Sequence, residues 1–216
     1  MDRISQIFLK ELAVELRQKY ALGGVILFAA TLVFVVYKVF NQVTGLEWSI
    51  MLWIITLFAG LNAVVKSFAQ EKKETYLYYY SLFDPLDLAI AKLVYNIIFL
   101  SLLFVLILVW MSVFLGFPVK DIGLFALGSF LGISGLATIM TFVSLLSQSE
   151  QSGGTLMSIL AIPLVLPILL LLLKITAVSL RLISDTSVSE DVLMLAGIDA
   201  LMLGCVILLF PLVWRS

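Results

Sequence analysis

The chain contains no histidine and a single cysteine, Cys205. Without imidazole, histidine-ligated metal sites and histidine-based acid–base catalysis are excluded. With one thiol, disulfides within the chain and thiolate-cluster metal sites are excluded too. Charge is scarce: 12% of residues are Asp, Glu, Lys or Arg, against about 25% in a soluble domain. The formal net charge of −1 leaves no basic footprint for nucleic acid. No G-x-x-x-x-G-K-[ST] loop is present, so the chain does not bind nucleotide in that way. Nor is there an H-E-x-x-H, a G-x-S-x-G or a pair of intramembrane aspartates, and these gaps argue against an enzyme. Internal repeats, low-complexity tracts and linkers are absent as well.

What is abundant is hydrocarbon. Of 216 residues, 62% are hydrophobic. So little charge cannot cover a water-facing surface of this size, and the bilayer must act as the solvent for much of the chain. A spanning helix needs about 20 mainly apolar residues. Six segments meet that length: 22–40, 48–65, 93–115, 122–146, 155–173 and 192–214. The alternation of a membrane β-strand is missing. The expected fold is all-α: a polytopic membrane protein of six transmembrane helices, forming one domain over 1–216. The first apolar stretch has no small-residue cleavage motif and is read as a retained helix. Cys205 lies in an apolar run and reads as a buried packing residue.

Basic residues set the orientation. An N-terminus in the cytoplasm puts Arg3, Lys10, Arg17, Lys19, Lys66, Lys72, Lys73, Lys92 and Arg215 inside. Lys38, Lys120, Lys174 and Arg181 then fall outside. That 9-to-4 split favours both termini in the cytoplasm, with segment 66–92 as the first cytoplasmic loop and 174–191 as the longest outside loop.

Five features stand out against this frame. Residues 1–20 form an amphipathic helix lying in the membrane interface, with Arg3, Lys10 and Arg17 as a basic stripe beside an apolar side. Glu11 and Glu15 project from within the apolar sector, either pairing with Lys19 and other lysines or facing a protein partner. In the cytoplasmic loop, Glu71-Lys72-Lys73-Glu74 runs into Thr75-Tyr76-Leu77-Tyr78-Tyr79-Tyr80, and a short helix over 70–83 ends before Pro85. Tyr76 and Tyr80 share a face, Leu77 adjoins it, Tyr79 continues it, and the charged run forms its rim. Such a surface suits either an aromatic belt at the headgroups or the docking of a cytoplasmic partner.

Third, Gly153 and Gly154 open the fifth span, and Pro163 and Pro167 bend it on one face by removing two backbone donors. Fourth, Gly128, Gly132 and Gly135 line one side of the fourth span with Ser134, Thr138 and Thr141 nearby, allowing close approach within the bundle or between subunits. Fifth, Asp199 sits inside the last span, about two turns from its outer end, where it can reach water.

Three of these segments together resemble the CcmB family, the membrane subunit of the bacterial haem exporter of cytochrome c maturation. They are Lys10-Glu11-Leu12-Ala13-Val14-Glu15-Leu16-Arg17; the loop with Phe68, Pro85-Leu86 and Ala91-Lys92; and Gly153-Gly154-x-Leu156-x-Ser158-Ile159-Leu160-x-x-Pro163-Leu164-x-x-Pro167. In the loop, Thr75-Tyr76-Leu77-Tyr78 stands where the family has Gly-x-Leu-Glu. The resemblance implies an ABC-2-type permease fold and a separate ATP-binding subunit (CcmA-like) that holds the ATP. It also implies a second copy of this chain, a CcmC-like membrane partner, and the bacterial inner membrane as location. Haem, or a haem-loaded chaperone, becomes the candidate substrate, and the chain itself binds no cofactor or metal. Competing readings are a permease for a drug or polysaccharide, a secondary transporter and a non-transporting assembly factor. A secondary transporter would need intramembrane ionisable groups or an inverted repeat.

The topology is testable with the thiol. After Cys205→Ser, a Ser184→Cys variant reacts from outside with an impermeant maleimide in intact cells, and Thr75→Cys is protected. The opposite pattern would invert the orientation.

Overall fold

The computed structural model describes residues 19–40, 42–69, 85–147, 153–183 and 187–214, and every regular element among them is an α-helix. The order is α1 (Lys19–Val39), α2 (Gly45–Ala69), α3 (Pro85–Leu115), α4 (Ile122–Ser147), α5 (Gly153–Ser179) and α6 (Val188–Trp214). Helices are the form in which an apolar segment can bond all its backbone groups to itself when no water is at hand. Five contain a stretch long and apolar enough to cross a membrane: Gly45–Val64, Leu86–Leu115, Ile122–Ser144, Ala161–Ser179 and Val188–Leu208. In α1 the shorter stretch Gly23–Val39 is apolar. Its whole 21-residue helix spans about 32 Å at 1.5 Å per residue, enough for a hydrocarbon core of about 30 Å. The chain is thus a polytopic α-helical membrane protein.

The helices run up and down, and the described connecting residues 42–44, 116–121 and 180–183 lie at one end. There the sequence punctuates sharply. Thr44 and Glu47 form a reciprocal capping box on α2: the Thr44 N–H donates to Glu47 Oε2 at 2.8 Å, and the Glu47 N–H donates to Thr44 Oγ1 at 3.3 Å. Asp121 caps α4 by accepting the Leu124 N–H at 3.0 Å. Gly116, at φ 83, ends α3. The Ser179 carbonyl at the end of α5 accepts the N–H groups of Lys120 (3.1 Å) and Asp121 (2.8 Å), joining α5 to the start of α4.

α4 is the centre of the bundle, packed against α2, α3, α5 and α6, while α1 lies outside on α2 and α3. The core is continuous. At the short-loop end it is aromatic: Trp53 stacks on Phe104 at 5.4 Å, and Trp48, Phe117 and Phe125 lie within 6.2–6.3 Å of one another. Towards the middle, Leu136, Ile139, Met140, Ile168 and Leu172 take over. Cys205 is half-buried, not enclosed.

Two connections are shorter than in the sequence reading. α3 starts at Pro85, not 93, and α2 runs on to Ala69, so the connection at the opposite end contracts to 70–84. Proline suits a first turn, where its missing N–H would be unbonded in any case. Lys92 therefore sits two turns inside α3, 5% exposed. Likewise α5 extends to Ser179 and α6 begins at Val188, which takes Lys174 out of a loop and into a helix. Its ammonium lies 3.1 Å and 2.8 Å from the two carboxylate oxygens of Asp191 in the first turn of α6. A hydropathy window stops at the first charge, but a paired lysine does not stop a helix.

At the end of α5 the Leu182 N–H donates to the Ala177 carbonyl (3.0 Å) and the Arg181 N–H to that of Val178 (2.8 Å), with Arg181 at φ 57. This is a Schellman closure with arginine where glycine is preferred. Arg181→Gly is expected to raise stability by up to about 1 kcal/mol, because glycine adopts this conformation without Cβ strain. Thermal unfolding in detergent checks it; an unchanged or lower midpoint would mean that the arginine side chain offsets its backbone strain.

Candidate functional site: a glycine and hydroxyl seam on α4

The residues that bring the bundle together lie along one helix. A Cβ added at Gly128 would stand 2.7 Å from Ile175 Cγ2, and one at Gly132 would overlap the Leu172 side chain. At Gly135 it would collide with the Asp199 carboxylate and lie 2.8 Å from Ile168 Cδ1. All three approaches are far closer than ordinary carbon contact, so α5 and α6 rest on bare α4 backbone. In lipid, where water drives no helix–helix association, such close approach is itself the source of packing attraction.

Hydrogen bonds between side chains cross the same region. Asn96 Nδ2 of α3 donates to Thr141 Oγ1 of α4 at 2.8 Å, and the Thr141 hydroxyl in turn donates to the Ala137 carbonyl at 2.6 Å. Trp53 Nε1 of α2 donates to Thr176 Oγ1 of α5 at 2.9 Å. The Ser134 hydroxyl of α4 stands 3.0 Å from Asp199 Oδ2 of α6 and 2.8 Å from the Leu131 carbonyl. Having one proton, it serves one of the two at a time. Each such interhelical bond contributes on the order of 0.6 kcal/mol, up to about 1.7. Together they fix which helix faces which.

Asp199 departs from its sequence reading. Eleven residues beyond the start of α6, it lies about 17 Å from that end and is only 6% exposed, so it does not reach water. Its Oδ1 has no hydrogen-bond partner among the described residues and faces the Gly135 backbone. The sequence singled out both Asp199 and the glycine row but gave no means of pairing them across 65 residues. Asn96, Trp53 and Thr176 drew no notice, because a lone amide, indole or hydroxyl in an apolar run carries no periodic signal.

The other residues predicted from the sequence fall as follows. α5 begins at Gly153, and Pro163 and Pro167 lie inside it without breaking it. Both prolines are on the exposed face with Ile162, Leu166 and Leu170, while Ala161, Val165, Ile168 and Leu172 are buried on the other. The carbonyls of Ile159 and Pro163, four residues before each proline, thereby lose their helical donors on the outward side. The seam and the two prolines thus occupy opposite faces of α5. Glu11, Glu15 and Arg17 of the interfacial helix lie outside the described residues. So do Glu71, Glu74, Tyr76, Leu77, Tyr79 and Tyr80 of the loop.

A bundle of apolar helices clasped by a few internal polar bonds defines the class: a multi-pass membrane protein. The sequence profile of the CcmB protein matches residues 2–212, nearly the whole chain, and the chain belongs to the CcmB family. It is accordingly a membrane subunit of the ABC-type haem export system of cytochrome c maturation, a family that works with an ATP-binding CcmA subunit and other Ccm proteins. No curated protein and no solved structure matches the chain.

Gly135→Ala and Gly132→Ala are each expected to destabilise the bundle by about 1–3 kcal/mol through overpacking. Gly197→Ala on α6, where an added Cβ meets nothing within 4 Å, serves as the control and is neutral or stabilising by helix propensity. Unfolding midpoints of the three purified variants decide the matter; equal midpoints would show that α5 and α6 do not depend on the bare backbone.

Proposed function

We propose that two copies of this chain form the membrane part of an ABC transporter in the bacterial inner membrane, with both termini in the cytoplasm and ATP bound and hydrolysed in a separate CcmA-like subunit. The observation that carries the reading is membership of the CcmB family over residues 2–212. Chemistry is consistent with it. A permease that borrows its energy from a separate subunit needs no nucleophile, general base or metal centre, but it needs a cytoplasmic surface on which that subunit can push. In this chain the connection between α2 and α3 is the natural place, because it follows an early span and carries Tyr76, Leu77, Tyr79 and Tyr80 behind the Glu71–Glu74 charged run.

The cargo in this reading is haem, or the release of a haem-loaded chaperone, in concert with a CcmC-like membrane partner. The chain holds no haem of its own. With no histidine in the sequence, haem iron has no imidazole to bind here, and methionine or tyrosine ligation, or porphyrin contact alone, would have to serve. The amphipathic segment with Glu11, Glu15 and Arg17 anchors the N-terminus in the cytoplasmic interface. The bond network on α4 keeps the bundle in register while the connection at 70–84 transmits motion. Pro163 and Pro167 give α5 a place to flex on its outward face.

The double variant Tyr76→Ala with Tyr80→Ala tests the docking. Truncating a buried aromatic anchor at an interface typically costs about 2 kcal/mol, roughly thirty-fold in affinity. Co-purification of the ATPase subunit should fall accordingly and c-type cytochromes should fail to mature, with membrane levels of the chain unchanged. Phe or Trp at both positions separates the rival arrangement, a headgroup belt: there the aromatic replacements preserve function, and alanine lowers insertion instead. Wild-type yield of the ATPase with the double alanine variant would refute docking at this surface.

A further inference from the structure

At the short-loop end, α1 finishes in a cluster that neither the seam nor the export reading uses. Phe34 and Tyr37 of α1 and Phe114 of α3 stand with ring centroids 5.3–6.4 Å apart. The Lys38 ammonium lies over two of these rings, 5.7 Å from the Phe34 centroid and 5.4 Å from that of Tyr37. Beside them, the ends of α1 and α3 and the segment leading to α2 enclose an open cleft of about 690 Å³, whose walls include Tyr37, Lys38, Phe40, Gln42, Phe114 and Leu115. That is within the range of small-molecule sites, about 300–1,000 Å³.

Lys38 has no anionic partner among the described residues. Among the described residues no carboxylate lies within ion-pair distance of it; the nearest acidic group in the chain sequence at this end, Glu47, is occupied by the Thr44 cap. Contrast Lys174 at the same end, which is paired with Asp191. The two rings hold the ammonium where α1 leaves its apolar stretch, the depth at which lysines snorkel and lipid phosphates lie. Below the cleft, exposed apolar side chains continue along both helices: Phe34 and Val35 on α1, Val109 and Val113 on α3, the last 72% exposed. An unpaired cation above a lipid-facing apolar strip is the complement of an amphiphile with an anionic head.

We propose that this cleft is a binding site for an acidic phospholipid, its phosphodiester on Lys38 and its acyl chains along α1 and α3. The Tyr37 hydroxyl and the Gln42 amide supply further donors at the rim. A compact ammonium is a well-suited partner for phosphate. The headgroup must be anionic and not zwitterionic, because Lys38 already occupies the faces of Phe34 and Tyr37, and no carboxylate among the described residues lines the cleft to meet a quaternary amine. The proposal is independent of the cargo and of the ATPase.

Native mass spectrometry of the full-length chain, released from nanodiscs of phosphatidylcholine with a rising share of phosphatidylglycerol, reads the site directly. The wild-type chain retains phosphatidylglycerol in preference to phosphatidylcholine, and glycerol phosphate without acyl chains fails to displace it. Lys38→Gln, which removes the charge but leaves a polar side chain, weakens retention roughly tenfold, as expected for losing a charge-assisted hydrogen bond. Lys38→Arg restores it, and Lys120→Gln, a cation at the same end that does not line the cleft, leaves it unchanged. Equal retention of the two lipids by the wild-type chain would overturn the proposal without recourse to any variant. So would wild-type retention by Lys38→Gln, or displacement by glycerol phosphate alone.

Discussion

Leu172, Ile175 and Ile168 of α5 lie directly on Gly132, Gly128 and Gly135 of α4, and Asp199 of α6 lies on the last of these. The approach of α5 and α6 to the backbone of α4 governs the rest. In a soluble bundle, expulsion of water would draw the helices together even over larger side chains. Here the alternative neighbour of every helix is lipid, as apolar as leucine, and attraction has to come from contact density and a few internal hydrogen bonds. Removing three side chains from one face of α4 supplies the first. It also brings Ser134 within reach of α6, since a hydroxyl on a short side chain bonds across helices only when their backbones are close.

The polar groups are distributed accordingly. α2 is tied to α5 through Trp53 and Thr176, α3 to α4 through Asn96 and Thr141, α4 to α6 through Ser134 and Asp199, and α5 to α6 through Lys174 and Asp191. No two of these ties join the same pair of helices, so each fixes a different rotation. α1, which packs mainly against α2 and α3, has no such side-chain tie to a neighbouring helix among the described residues. It faces lipid over much of its length, and its aromatic end with Lys38 belongs to that surface more than to the bundle's interior.

Much of the fold was legible because composition and hydropathy are sums over many residues. A run such as 122–146 announces a spanning helix whatever its order, and the structure places α4 at Ile122–Ser147. The glycine row at 128, 132 and 135 was legible too, since its periodicity is a helical face. Boundaries containing charge were not: Lys92 and Lys174 read as loop residues because a window cannot know that a lysine is buried or paired. Nor could the sequence find partners such as Asn96 and Thr141, whose meaning arises only when two faces meet. The family was readable because its motifs are local and lie in order along the chain.

The Ser134–Asp199 contact has a consequence for how the protein is made. The chain is synthesised from its N-terminus, so α4 enters the membrane long before α6. A carboxylate at the centre of a single inserting helix opposes insertion by about 2.5–3.5 kcal/mol on the translocon scale. Alone, α6 would carry Asp199 into hydrocarbon with nothing to bond it. With α4 already in place, the same residue finds a serine hydroxyl and a bare glycine backbone waiting for it. The last helix is thus best accommodated by a bundle that is already assembled, and the order in which the ribosome delivers the helices matches the order in which they can be received.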